Sequence, residues 1–118
     1  MKLTFGVLGK AVSSNRVVRF GRGGFYTPDD VTQWKEVVAW SAKEASKLQK
    51  IDMTAQYKIH VDYYFDDNRK RDAHNCDKII YDALEGIFFK NDTQIWEWSG
   101  KRYKGEPKVY ITIETIDE

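Results

Sequence analysis

Residues 55–65, AQYKIHVDYYF, constrain the fold more than any other stretch of this chain. Tyr57, Ile59, Val61, Tyr63 and Phe65 fall on one side of a two-residue repeat, and Gln56, Lys58, His60 and Asp62 on the other. Successive strand side chains point to opposite faces, so the stretch reads as a half-buried strand with one apolar face. His60 lies on its polar face, the place of an ordinary exposed histidine rather than a ligand.

The other elements arrange themselves around this strand. Leu3, Phe5 and Val7 alternate within a first strand over about Lys2 to Leu8. The segment SSNRVVRFGRGGFYTP reads as a loop and a small hairpin, Val17–Phe20 and Phe25–Thr27, turning at GRGG. TPDD then opens a helix, with Thr27 as cap, Pro28 in the first position and Asp30 as capping-box acceptor. Val31, Trp34, Val38, Ala42 and Ala45 follow at three- and four-residue spacing, one apolar face of a long helix ending near Lys50. A second helix begins at Asp72 or Ala73, with Cys76, Ile79, Ile80, Ala83, Leu84 and Ile87 as its buried stripe. FKNDTQ is a turn, and Thr93–Arg102 and Lys108–Ile116 read as a closing hairpin. The order is β, hairpin, α, β, α, β, β. Two helices are too few for a doubly wound fold, so the expectation is α+β, two main helices packed on a mixed sheet.

At 118 residues the chain fits a single domain, 1–118, with one core. A composition 42% hydrophobic and 31% charged excludes a disordered or membrane-embedded chain. Its longest apolar runs fall far short of the roughly 20 residues that span a bilayer, and the first fifteen residues do not read as a signal peptide. The single cysteine, Cys76, makes no internal disulfide, which points to the reducing cytoplasm and to a small buried hydrophobe rather than a nucleophile. Net charge is only +1, but its distribution is uneven. Met1 to Pro28 contains no acid, while Lys2, Lys10, Arg16, Arg19 and Arg22 are basic. Arg69, Lys70 and Arg71 form a second cluster, and Lys101, Arg102 and Lys104 a third. Local patches of this kind, rather than net charge, set the field that a nucleic acid meets. Solvated loops are the plainer explanation for any one of them.

The second cluster runs straight into RDAHNCDK. At about 100° per residue, His74 and Lys78 share a helix face that Asp82 continues, and Asn75 lies over Asp72. Asp72 stands at the helix start, where the peptide dipoles favour an anion. The polar face therefore gathers a carboxylate, an imidazole and an ammonium beside three cations. Helix physics alone explains the same residues more simply. Asp72 then caps, Lys78 pairs with Asp82 at spacing four, and His74 is a surface histidine.

The stretch resembles the RusA family of Holliday junction resolvases, crossover junction endodeoxyribonucleases. The family carries a signature similar to R-D-x-D-N-x-x-K-x-x-x-D-A-L, met here by Arg71, Asp72, Asn75, Lys78, Asp82, Ala83 and Leu84. KNDTQI, with Asp92, resembles its acidic turn, and SSNR with Arg19 resembles its Pro-Ser-x-N-x-x-x-R region. The chain departs at His74, where the family usually has aspartate.

The resemblance implies a metal-dependent, structure-specific endonuclease that cuts four-way DNA junctions by paired symmetric nicks in recombination and repair. It implies a homodimer, since a two-fold protein matches a two-fold substrate. Asp72 and Asp92 become metal ligands, with His74 a third. Lys78 becomes the transition-state stabiliser and Asn75 the residue that orients Asp72. The implied cofactor is magnesium, with manganese possible because imidazole suits a softer ion. Asn15, Arg16, Arg19, Arg22, Arg69, Lys70, Arg71, Lys101 and Arg102 become contacts to branched DNA. Tyr64, Trp96 and Trp98 are expected either in a dimer interface, stacked on unpaired bases, or in the core. Two other classes fit the residues: a branched-DNA-binding protein of the same fold whose catalysis is weakened through His74, and an interaction protein with merely solvated basic loops.

Overall fold

A computed structural model describes residues 1–13, 19–21, 24–26, 29–66 and 74–116, with residues 19–21, 24–26, 74 and 75 described by backbone alone. In chain order its elements are β1 (Lys2–Leu8), β2 (Arg19–Gly21), β3 (Gly24–Tyr26), α1 (Asp29–Ser46), β4 (Tyr57–Phe65), α2 (His74–Leu84), β5 (Ile95–Lys104) and β6 (Lys108–Thr115). A 3₁₀ turn, Asp92–Gln94, leads into β5. Among the described residues no helix is long and apolar enough to cross a membrane.

Four strands form a mixed sheet in the order β1-β6-β4-β5, and β2 pairs with β3 in a separate ribbon. Tyr57, Ile59, Val61, Tyr63 and Phe65 of β4 are at most 1% exposed. Their antiparallel neighbours Val109, Ile111 and Ile113 on β6 are equally buried, and Val7 on β1 extends the layer. Onto this face pack Val31, Trp34, Val38 and Ala42 of α1 and Cys76, Ile79, Ile80, Ala83 and Leu84 of α2, with Phe88 and Phe89 beyond. Each large side chain so buried stabilises the fold by roughly 1.5–3 kcal/mol. The α+β class and the element order are as expected.

The closing hairpin is not formed. β5 pairs parallel with β4, while β6 lies on β4's other edge, between β4 and β1. β6 buries alternate apolar side chains and needs a central position, whereas β5 is exposed at most positions and tolerates an edge. Gly105–Pro107 therefore bridges over the end of β4. The Gly105 N–H donates to Phe65 O at 2.9 Å, and Gly9 N–H to Pro107 O at 3.1 Å. Three residues at about 3.3 Å each span the two strand spacings of about 4.8 Å. The parallel pair β4–β5 is joined through α2, which is what a parallel connection requires. That crossover brings the polar side of α2 to the edge strand.

Element ends differ from expectation in several places. α1 stops at Ser46 rather than near Lys50, and β5 starts at Ile95 because the 3₁₀ turn takes the preceding residues. The ribbon pairs Arg19–Gly21 with Gly24–Tyr26. Ala45 and Ile87 are only partly buried. Thr27, Pro28 and the helix start expected at Asp72 or Ala73 lie outside the described residues.

Candidate active site

A cleft of about 410 Å³ opens between α2 and the edge of the sheet, lined by Asp77, Lys78, Tyr81, Asp92, Ile95 and Trp98. Three elements build it. α2 buries its apolar stripe, so Asp77, Lys78 and Tyr81 are turned toward β5 and the turn that precedes it.

The turn that carries Asp92 is firmly fastened. Asn91 caps it, accepting from the Thr93 N–H at 2.9 Å, and the Gln94 carboxamide oxygen accepts from the N–H groups of Lys90 and Asn91. The Gln94 amide nitrogen donates to Met53 O at 2.8 Å and Ala55 O at 2.9 Å. The reciprocal Asn-x-x-Gln arrangement is a capping box, present in the sequence as NDTQ. The short turn is thereby tied to the loop before β4, and Asp92 is held at the cleft.

Lys78 joins the two sides. Its Nζ donates to Asp82 Oδ1 at 3.0 Å and lies 4.0 Å from Asp92 Oδ2. The pairing expected from helix spacing and the approach to the acidic turn thus coexist. The hydrogen bond to Asp82 holds the Lys78 ammonium above its ordinary value, with the charges of Asp82 and Asp92 adding to it, so it is a cation throughout the neutral range.

Asp77, to which the sequence pattern assigns no role, is part of the cleft. The Tyr63 hydroxyl on β4 donates to Asp77 Oδ1. Burial, reinforced by Asp77, pushes the Tyr63 and Tyr81 phenols well above their ordinary range, so both stay protonated. The signal for Asp77 is tertiary, because its partner lies across the helix–sheet interface.

The third basic cluster divides. Strand alternation puts Arg102 beside Tyr63 on the helix-covered side, its guanidinium carbon 5.5 Å from the centre of the Phe65 ring. Lys101 is in register with Asp62 and faces the opposite side of the sheet. Trp98 enters the cleft, Trp96 is exposed, and Tyr64 lies on the open face, stacked on Tyr103. His60 lies on that open face too, bonded to Ser99 and Asp62.

Of the other expected site residues, Asn15, Arg16, Arg22, Arg69, Lys70, Arg71 and Asp72 lie outside the described residues. Arg19 is in β2, and His74 and Asn75 are in the first turn of α2, described by backbone alone. Among the described residues no group of three or more acidic, histidine or cysteine side chains converges as a metal site. The cleft does contribute two carboxylates, Asp77 and Asp92, and hard oxygen donors suit a divalent cation such as magnesium.

These features define an α+β domain with an open cleft lined by two carboxylates and an ammonium. The family model for endodeoxyribonuclease RusA matches residues 9–114, and the chain belongs to that family. It is a family of divalent-metal-dependent endodeoxyribonucleases that resolve Holliday junctions and bind branched DNA. No curated protein matches the chain.

Proposed function

We propose that this protein is a divalent-metal-dependent endodeoxyribonuclease that resolves four-way DNA junctions by paired symmetric nicks, in recombination and repair in the cytoplasm. The observation that carries the reading is the convergence of Lys78 and Asp92, fourteen positions apart in the sequence, on one cleft beside the crossover helix.

Asp72 and Asp92 would hold the cation, with His74 as a third ligand and Asn75 orienting Asp72. A bound cation there supplies an activated water and offsets charge on the phosphate. Lys78, steered by Asp82, places its ammonium where negative charge grows on the non-bridging oxygens. Asp77, anchored by Tyr63, fixes one wall of the cleft, and Trp98 lines it on the β5 side. Arg102 on the cleft side, with Arg16, Arg19, Arg22, Arg69, Lys70 and Arg71, draws in the phosphate backbone.

The homodimer expected for a two-fold substrate finds support in Val37 and Trp40, which are 44% and 66% exposed one turn apart on α1. A second reading, a branched-DNA-binding protein with weakened catalysis, is favoured by His74 standing where the family usually has aspartate. Incubation with a synthetic four-way junction and a linear duplex, in magnesium and then manganese, separates the two. Paired nicks confined to the junction support the enzyme, and binding without nicks in either metal supports the alternative.

A further inference from the structure

The face of the sheet turned away from the helices takes no part in the cleft. At one end of it two rows run across β6, β4 and β5: Lys108–Tyr64–Tyr103 and Tyr110–Asp62–Lys101. We propose that this tyrosine–lysine corner is a second binding surface for the phosphodiester backbone, taking a strand that passes round the edge of the sheet from the cleft. The inference rests on the endonuclease reading and adds a binding surface to it.

The charge there is net positive, two lysines against the single carboxylate of Asp62. Lys101 Nζ lies 5.2 Å from the centre of the Tyr103 ring, and Lys108 Nζ lies 4.9 Å from that of Tyr64 and 5.5 Å from that of Tyr110. Ring faces hold these ammoniums, and a ring holds a cation without cancelling its charge. Asp62 is the one carboxylate in the two rows, and its Oδ1 is engaged by His60 Nε2 at 2.8 Å. The other end of the same face differs. There Lys58 is in register with Glu114 and Glu97, and Lys2 with Glu114, so positive and negative charges alternate.

The ring geometry selects phosphate over bases. Tyr64 stacks on Tyr103 with centroids 4.8 Å apart, meets Tyr110 edge-on at 5.9 Å and carries Lys108 as well. Tyr64 is thus half-buried among its neighbours, and the corner offers a ligand ammonium and hydroxyl groups. The rings are also seated close to the backbone. A Cβ on Gly6 would come within 3.1 Å of Tyr110 Cε1, and one on Gly105 within 3.3 Å of Tyr64 Cδ1. Lysines fixed this way lose little rotamer freedom when they meet a phosphate.

The test measures binding of the full-length protein to a four-way junction by fluorescence anisotropy across a salt series. Lys101→Gln with Lys108→Gln should lower the slope of log affinity against log salt by about 1.8, roughly 0.9 for each phosphate no longer neutralised. Lys2→Gln with Lys58→Gln should leave it unchanged, and Lys101→Arg with Lys108→Arg should keep the wild-type slope. An unchanged slope in the first variant, with the wild type binding and cutting, overturns this inference alone. So does a change of oligomeric state in that variant by sedimentation, which would make the face an interface between copies. A wild type that neither binds nor cuts the junction takes both readings down.

Discussion

Lys78 Nζ stands 3.0 Å from Asp82 Oδ1 and 4.0 Å from Asp92 Oδ2, so one ammonium spans the helix that positions it and the turn it serves. Lys78→Ala should lower the cleavage rate about 100- to 1,000-fold, the cost of removing one preorganised electrostatic donor. Asp82→Asn should cost less and act through Lys78. Losing the hydrogen bond and charge that raise the ammonium's pKa should bring its titration down, which a side-chain nitrogen NMR titration reads directly. A Lys78 titration unmoved by Asp82→Asn would contradict the assignment.

Tyr63→Phe removes the donor to Asp77 while keeping the ring in the core. A hydrogen bond to a charged group contributes about 1.5–3 kcal/mol, so urea unfolding at neutral pH should show a loss of that order. The alkaline behaviour follows from linkage. The folded Tyr63 phenol titrates above its unfolded value of about 10, so its contribution is complete below pH 10 and lost as pH rises beyond it. Stability of the wild type should therefore fall more steeply above about pH 10 than that of Tyr63→Phe, by close to one proton in the slope. Parallel curves would place the phenol's titration elsewhere.

His74 sets the metal preference if it is a ligand, because a nitrogen donor favours manganese over magnesium. His74→Asp should raise the magnesium-to-manganese rate ratio at saturating metal, and His74→Ala should slow cleavage with both ions. A ratio that does not move on His74→Asp returns this residue to the helix surface.

Arg69→Gln with Lys70→Gln should weaken binding to junction and linear duplex alike, with the salt slope falling by about one unit for each cation removed from a phosphate. Equal slopes before and after would leave these cations as solvated loop residues.

Where local periodicity decides structure, the sequence was sufficient. The alternation in β4 and the Val31–Trp34–Val38–Ala42 stripe became the two sides of the core. Partner choice was not legible, because Gly105 and Pro107 mark a turn without saying that β4 lies between the strands it joins. The split of Lys101 from Arg102 was within reach, since a period of two already separates neighbours in a strand. Asp77 was hidden because Tyr63, the group that gives it meaning, is fourteen positions away on a different element. Lys78 and Asp92 were paired by family resemblance, and the fold supplies the physical reason: Gln94 pins the turn and α2 presents the lysine to it.

The most direct measurement of the central claim is cleavage of a labelled four-way junction in magnesium by wild type, Asp92→Asn and Asp72→Asn, with junction binding followed in parallel. The wild type should make paired nicks in the junction and none in linear duplex. Neither variant should make detectable nicks, and both should bind as well as the wild type or tighter, because a carboxylate that repels phosphate has gone. Wild-type turnover in Asp92→Asn would contradict the claim.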